Sequence, residues 1–218
     1  MKRTQSQTVC CSSGFTLIEV ITVIAIIMVL AAMTVGGLNY AQKKAEISRT
    51  EVFMQSLGAG LEQYRADNGF FPQGDGLSDS SEQVYIALYG DGELEFDSGS
   101  QQVRVRSGYE PDGEPDEGST VYVDTLTSPL PYTAKKARTK EYNVRKNGST
   151  YVIVDAWMDP DDNSQRQEIF YRHDPSGADV DMMNPPSDFD LWSLGPDGKG
   201  GPGNDTKKER ADDIVNWK

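Results

Sequence analysis

The chain of 218 residues carries 21 Lys+Arg against 34 Asp+Glu, a formal charge of −13, and its mean hydropathy is −0.56. That length holds one sizeable domain plus an accessory segment, and the acidity speaks against nucleic acid or anionic lipid as a partner of the whole domain. Both cysteines, Cys10 and Cys11, fall in the first 14 residues, so no disulfide can staple the rest.

The leader MKRTQSQTVCCSSG is polar, with Lys2 and Arg3 and no acid. Without it the balance falls to −15. From Phe15 to Leu38 run 24 residues with one charge, Glu19. As a helix this stretch reaches roughly 36 Å at about 1.5 Å per residue, enough for a hydrocarbon core of about 30 Å. A secretory signal would need a shorter apolar core followed by a small-residue cleavage site. Here the small residue, Gly14, comes first. Lys2 and Arg3 keep the leader cytoplasmic, so the residues after the helix face outward into a periplasm or equivalent space.

Glu19 needs a reason, because a charge inside a membrane costs about 2.5–3.5 kcal/mol on insertion scales. On position alone an interfacial acid that snorkels, with no further role, is the competing reading. Cleavage after Gly14 would create an ammonium on Phe15, one turn from Glu19. The carboxylate could then neutralise its own amine or that of a neighbour, so Glu19 costs less in an assembly than alone.

The string G-F-T-L-I-E-V behind a short basic leader resembles the type IV prepilin signature, with Gly14, Phe15 and Glu19 in register. The resemblance implies cleavage between Gly14 and Phe15 by a membrane aspartyl prepilin peptidase. It also implies N-methylation of Phe15, and a Glu19 that guides subunits into a helical filament. The implied fold is α+β and pilin-like: a long N-terminal helix, its first half transmembrane, packed on a small antiparallel sheet domain.

Along the chain, Ile47, Met54, Leu57, Leu61 and Tyr64 make an amphipathic stripe at helical spacing. The reading is a helix of around fifty residues: residues 15–38 in lipid, residues 39–68 amphipathic, and residues 69–218 the outer domain. Gly58 and Gly60 weaken it by up to about 1 kcal/mol each, which suggests close packing there. Asp67-Asn68-Gly69 and Pro72 end it. The phrase YRADNGFFP, Tyr64 to Pro72, resembles the helix exit of the major pseudopilin of type II secretion. A short helix capped by Ser80 or Ser81 follows, carrying Val84, Ile86, Ala87 and Leu88. Residues 90–147, roughly, have no strong match in that family, whose compact members lack much of this stretch, and are taken as an insertion. They contain strand-like QVRVR (102–106) and TVYVD (120–124) around the solvated acidic loop EPDGEPDE (110–117). TYVIVDAW (150–157) and EIFYR (168–172) read as a hairpin about MDPDDNSQR, and DFDLWS (188–193) as a last strand.

The stretch from Ser193 to Trp217 is rich in glycine and acid. Asp197, Asp205, Asp212 and Asp213 are hard oxygen donors, and calcium takes about six to eight such oxygens in irregular geometry. On composition alone a disordered acidic surface loop is the competing reading. Ile214 and Trp217 would pin a closed loop. The runs DFDLWSLGPDG and ADDIVNW resemble the C-terminal calcium loop of the type II secretion major pseudopilin. Carried over, the metal would take side chains of Asp197, Asp212 and Asp213, the Leu194 carbonyl and a carbonyl near Lys199. The stretch from Gly201 to Arg210 is longer than that pattern, and Asp205 is an alternative ligand.

Other signals are weaker. DPDDNSQRQEIF begins like an EF-hand at Asp159, Asp161 and Asn163 but has Ser164 for glycine and Phe170 for the bidentate acid, so it reads as a turn. KKARTK (135–140) reads as a solvated basic patch, not a nucleic-acid site. His173 lacks a nucleophile elbow, and no P-loop is present, so no enzyme is expected. The expectation is a calcium-firmed pseudopilin subunit in the inner membrane, exposed to the periplasm. Its partners would be itself, the prepilin peptidase, the inner-membrane assembly platform and minor pseudopilins. The alternatives are a type IV pilin for adhesion, motility or DNA uptake, or a membrane-tethered calcium-dependent binding module.

Overall fold

The computed structural model describes residues 15–108, 110–159, 162, 164–174, 188–201 and 212–217. The chain divides into two compact units, Met1–Lys43 and Lys44–Lys218. Helix α1, Leu17–Asn68, contributes to both. In the first unit its span Leu17–Thr34 is wholly exposed, and among the described residues it is the one helix long and apolar enough to cross a membrane.

In the second unit the helix turns amphipathic, as its spacing predicts. Met54, Leu57, Leu61 and Tyr64 are buried, and Ile47 packs against the same core. The helix stops where the sequence places the stop. Gly69 takes a left-handed φ of 85° and its amide bonds to the Arg65 carbonyl at 2.7 Å.

In the second unit, beside this part of α1, the described residues form a second helix, α2 (Glu82–Tyr89), a short turn α3 (Ala134–Ala137) and nine strands. The strands are β1 (Gly74–Asp75), β2 (Leu94–Asp97), β3 (Gln102–Val105), β4 (Val144–Asn147), β5 (Thr150–Met158), β6 (Arg166–Glu168), β7 (Phe170–His173), β8 (Asp190–Ser193) and β9 (Ile214–Val215). Among the described residues they form three antiparallel sheets: β1-β7-β8-β9, β2-β3 and β4-β5-β6. The class is therefore α+β and pilin-like, with an apolar N-terminal helix leading into antiparallel sheet.

The β5–β6 hairpin about the acidic turn is present, with Val154 opposite Glu168 and Met158 opposite Arg166. The EIFYR segment, however, is not one strand. It leaves one sheet after Glu168 and enters the next at Phe170. Ile169 sits between them, fully buried, its amide on the Ile153 carbonyl at 2.9 Å.

One further expectation is corrected and a second refined. TVYVD is not a strand: the amides of Tyr122 and Val123 both bond to the Leu88 carbonyl at the end of α2. Its β-branched residues serve packing, since Val123 is buried against the helices. Ser81 does occupy the N-cap position of α2, as expected, but its side chain makes no capping bond. Ser81 Oγ donates to Glu168 Oε1 at 3.0 Å and accepts from the Ile153 amide, while Ser80 Oγ accepts from the Tyr171 amide. Both tie the start of α2 to the sheets.

The segment read as an insertion is integrated at both ends. β2 and β3 pair with each other, and β4 pairs with β5. Just ahead of β2, Asp91, 2% exposed, accepts from the Tyr85 hydroxyl at 2.5 Å and from the amides of Asp112 and Gly113 at 2.9 and 2.8 Å. The acidic loop is therefore braced from below, while Glu110, Asp112, Glu114, Asp116 and Glu117 stay exposed.

Candidate assembly segment and C-terminal loop

The N-terminal segment is organised by Thr16 and Glu19. The Thr16 amide and hydroxyl donate to Glu19 Oε2 at 2.8 and 2.7 Å, and the Glu19 amide faces Thr16 Oγ1 at 3.4 Å. With α1 starting at Leu17 this is a capping box, in which residue N3 reaches back to the N-cap. Two orphan donors at the helix start are met, and the carboxylate sits at the positive end of the helix dipole. Glu19 thus has a partner inside its own chain. Phe15 is 87% exposed, and in the uncleaved chain its nitrogen is an amide rather than the ammonium that cleavage would make. Gly14 lies outside the described residues.

The base of the C-terminal loop is closed by strand pairing. β8 and β9 pair Trp192 with Val215 and Ser193 with Ile214. Asn216 clamps the closure: its Oδ1 accepts from the Leu191 amide, its Nδ2 donates to the Phe189 carbonyl, and its amide donates to the Leu191 carbonyl. Ile214 is buried, as a pin should be, and Trp217 meets Trp192 edge-on at 6.1 Å.

Past β8 the chain takes a tight turn at Gly195–Asp197, closed by Gly198 in the left-handed region. Asp197 Oδ1 accepts from the Lys199 amide at 2.9 Å, and Asp213 Oδ2 accepts from the Gly201 amide at 2.8 Å. The two arms touch. A Cβ on Gly195 would stand 2.3 Å from the Asp212 carbonyl oxygen, and one on Gly200 would stand 2.2 Å from Asp213 Oδ1. Only glycine permits that approach, at φ of 69° and 131°.

These arms carry Leu194, Asp197 and Lys199 on one side and Asp212 and Asp213 on the other. Their carboxylate and carbonyl oxygens are the donor chemistry a hard cation takes. Among the described residues, though, no three acidic, histidine or cysteine side chains gather into one group. Asp205 lies outside the described residues, as do Asp161 and Asn163 of the EF-hand-like turn.

Beneath the loop is a buried pair that sequence reasoning missed. Asp155, 1% exposed, accepts from the Ser193 hydroxyl at 2.6 Å and from the Trp157 amide at 2.9 Å. Burial pushes its carboxyl up to about 7, against the pull of those hydrogen bonds and of the Arg166 charge. Ser193 Oγ also accepts from the Gly195 amide, and Gln167 Nε2 donates to the Gly195 carbonyl at 3.1 Å. The root of the loop is thus tied to β5 and β6. No local motif announces this, because the partners are 38 and 28 residues apart. Sequence reasoning missed the capping box too, although its signal is local: T-x-x-E ahead of an apolar run is its signature.

The remaining candidates resolve as structure. The first three residues of KKARTK lie in α3, which Thr133 caps, and Lys140 pairs with Glu46. His173 Nδ1 contacts the Asp188 carbonyl at 2.8 Å and its ring packs on Phe71, and burial lowers its pKa.

Residues 10–35 match the family described as "Prokaryotic N-terminal methylation motif". That motif marks a prepilin-like precursor, and it points to a structural, self-assembling chain processed by a prepilin peptidase. Comparison with curated proteins found no match, and comparison with solved structures found none.

Proposed function

We propose that the chain is a structural subunit of a type II secretion pseudopilus, polymerised after its leader is removed. The observation that carries this reading is the methylation motif at residues 10–35, set on a 52-residue helix whose apolar half is exposed along its length. An exposed apolar helix needs lipid or neighbouring helices to cover it. The leader keeps the subunit in the inner membrane. Cleavage between Gly14 and Phe15 frees an amine that the Glu19 carboxylate of a neighbour can neutralise. Helices then bundle while the outer domains sit in the periplasm, and growth from an inner-membrane platform, with minor pseudopilins, pushes folded cargo outward.

Calcium would firm the outer domain, held between the touching arms by Leu194, Asp197, Lys199, Asp212 and Asp213. This part of the reading rests on donor chemistry and on the resemblance of the loop.

The test is N-terminal mass spectrometry of the chain from its native membrane, alongside filament yield for Glu19→Gln. Glutamine preserves the N3 half of the capping box and removes the charge. A chain beginning at N-methylated Phe15, with assembly lost in Glu19→Gln, supports the reading. A chain still beginning at Met1 with the peptidase present overturns it. Long surface filaments under native expression would favour a type IV pilin.

A further inference from the structure

Lys135, Lys136, Arg138 and Lys140 fall within six residues on and after α3, and all four are exposed. From Leu126 to Lys146 six bases stand against one acid, Glu141, in a chain of net charge −13. Among the described residues Lys140 pairs with Glu46, whereas Lys135, Lys136 and Arg138 belong to no ion pair. Other acids stand nearby without taking these three. Asp124 and Asp155 line a groove with Arg49 and Arg166, and Asp112 and Glu114 flank Gly113, which approaches Leu130.

The backbone of this turn is fixed from behind. Buried Arg166 donates to the carbonyls of Thr139 and Tyr142, and Arg49 donates to the Lys140 carbonyl at 2.7 Å. Thr133 Oγ1 accepts from the Lys136 amide, and Ala137 is buried. Cations on a fixed backbone have less entropy to lose on docking than cations on a mobile loop. Beside them Leu130 and Pro131 are exposed. Cations bordering an exposed apolar side chain suit a lipid interface, where charge meets headgroups and the apolar group meets the acyl boundary.

The chain itself limits how far a bilayer can be. Glu46 and Arg49, which hold the turn through Lys140, are eight and eleven residues beyond Leu38, the end of the apolar run. Even fully extended, eight residues reach only about 30 Å. Tyr40, Lys43 and Lys44 fall in between, and these residue types sit at headgroup depth.

We propose that the turn from Leu130 to Lys140 docks on anionic lipid headgroups of the bilayer that holds the apolar run, with Lys135, Lys136 and Arg138 against lipid phosphates. The inference rests on the membrane anchorage in the proposed function and is independent of which filament the chain builds. It gives the solitary subunit a second, salt-sensitive hold on the membrane.

The experiment uses the full-length chain with Cys10→Ser and Cys11→Ser, carrying Ala134→Cys labelled with an environment-sensitive fluorophore. Nanodiscs hold one copy each, in neutral lipid alone or mixed with phosphatidylglycerol, with a headgroup-nitroxide lipid as quencher in both. Quenching should be about twofold stronger in the anionic discs. It should return to the neutral-disc level in about 1 M salt, where the Debye length is about 3 Å. Lys135→Gln, Lys136→Gln and Arg138→Gln together should lower the docked-to-undocked ratio about a hundredfold, at about fivefold per cation. All three are exposed, and circular dichroism checks that the variant is folded. A label at Leu77→Cys, outside the turn, should stay at the neutral-disc level. Equal quenching in neutral and anionic discs, or an equal rise at both labels, overturns the docking and leaves the anchor standing. Quenching that appears only when a disc holds two copies assigns the turn to a neighbouring subunit and overturns lipid as its partner. A chain that stays out of the discs overturns the anchorage as well.

Discussion

Gly60 lies so close to Val123 that a Cβ built on it would stand 2.6 Å from Val123 Cγ2 and 3.3 Å from Leu88 Cδ2. Val123 is β-branched and buried, so it has little room to turn away. Gly58, one half-turn earlier, meets only Phe189 Cζ at an ordinary 3.9 Å. The same substitution should therefore act in opposite directions. Gly60→Ala should destabilise by about 1–3 kcal/mol through overpacking, outweighing its gain in helix propensity. Gly58→Ala should stabilise by up to about 1 kcal/mol. Urea unfolding of the detergent-solubilised chain decides, and equal shifts for both would contradict the packing described.

Asp155 predicts a pH dependence. Its folded pKa, about 7, lies above the value of about 4 expected in an unfolded chain. Between these values the folded state holds the proton and the unfolded state does not. Stability should then fall as pH rises through the window, by about 1.4 kcal/mol per unit for one proton, and level off above it. Glu168 and Asp91, also raised by burial, act in the same sense. Asp155→Asn should make the slope shallower, since the Ser193 hydroxyl can accept as well as donate. An unchanged slope would remove Asp155 as its source.

Asp91 should control the order of the acidic loop. Asp91→Ala leaves the Tyr85 hydroxyl and two loop amides without their acceptor, each buried loss being about 1–3 kcal/mol. Limited proteolysis followed by mass mapping should show new cuts between Gly108 and Gly118. Digestion identical to that of the unsubstituted chain would mean the loop is held by something else.

Calcium has a built-in reporter, because Trp192 stands between Trp217 and Gly201 at the loop's closure. If calcium binds, saturation at a hundredfold above Kd should add about 2.7 kcal/mol. It should also change tryptophan fluorescence, and Asp213→Asn should abolish both effects. Melting and fluorescence that ignore both calcium and chelator would end the assignment.

What could be read in the sequence was local. The helix stop at Gly69 and Pro72, the buried stripe from Met54 to Tyr64 and the β5–β6 hairpin each follow from neighbours within a few residues. Ser81 shows where that fails. Its hydroxyl looked like a helix cap, but its partner Glu168 is 87 residues away, and a buried carboxylate outcompetes a cap. TVYVD has strand composition, yet its amides are drawn to the end of α2. Of the C-terminal loop, the pins and the glycine arms were legible, while its anchorage to Asp155 and Gln167 depends on contacts that only the folded chain brings together.

The capping box has a consequence for the subunit before it meets another. A bare carboxylate in a bilayer would drive indiscriminate pairing, but Glu19 is occupied by Thr16. On the proposed filament reading, docking a neighbour's amine would compete with the Thr16 contacts on Glu19 Oε2. A pool of solitary subunits would then persist, and commitment would be left to the larger apolar surfaces that close together once the right neighbour is alongside.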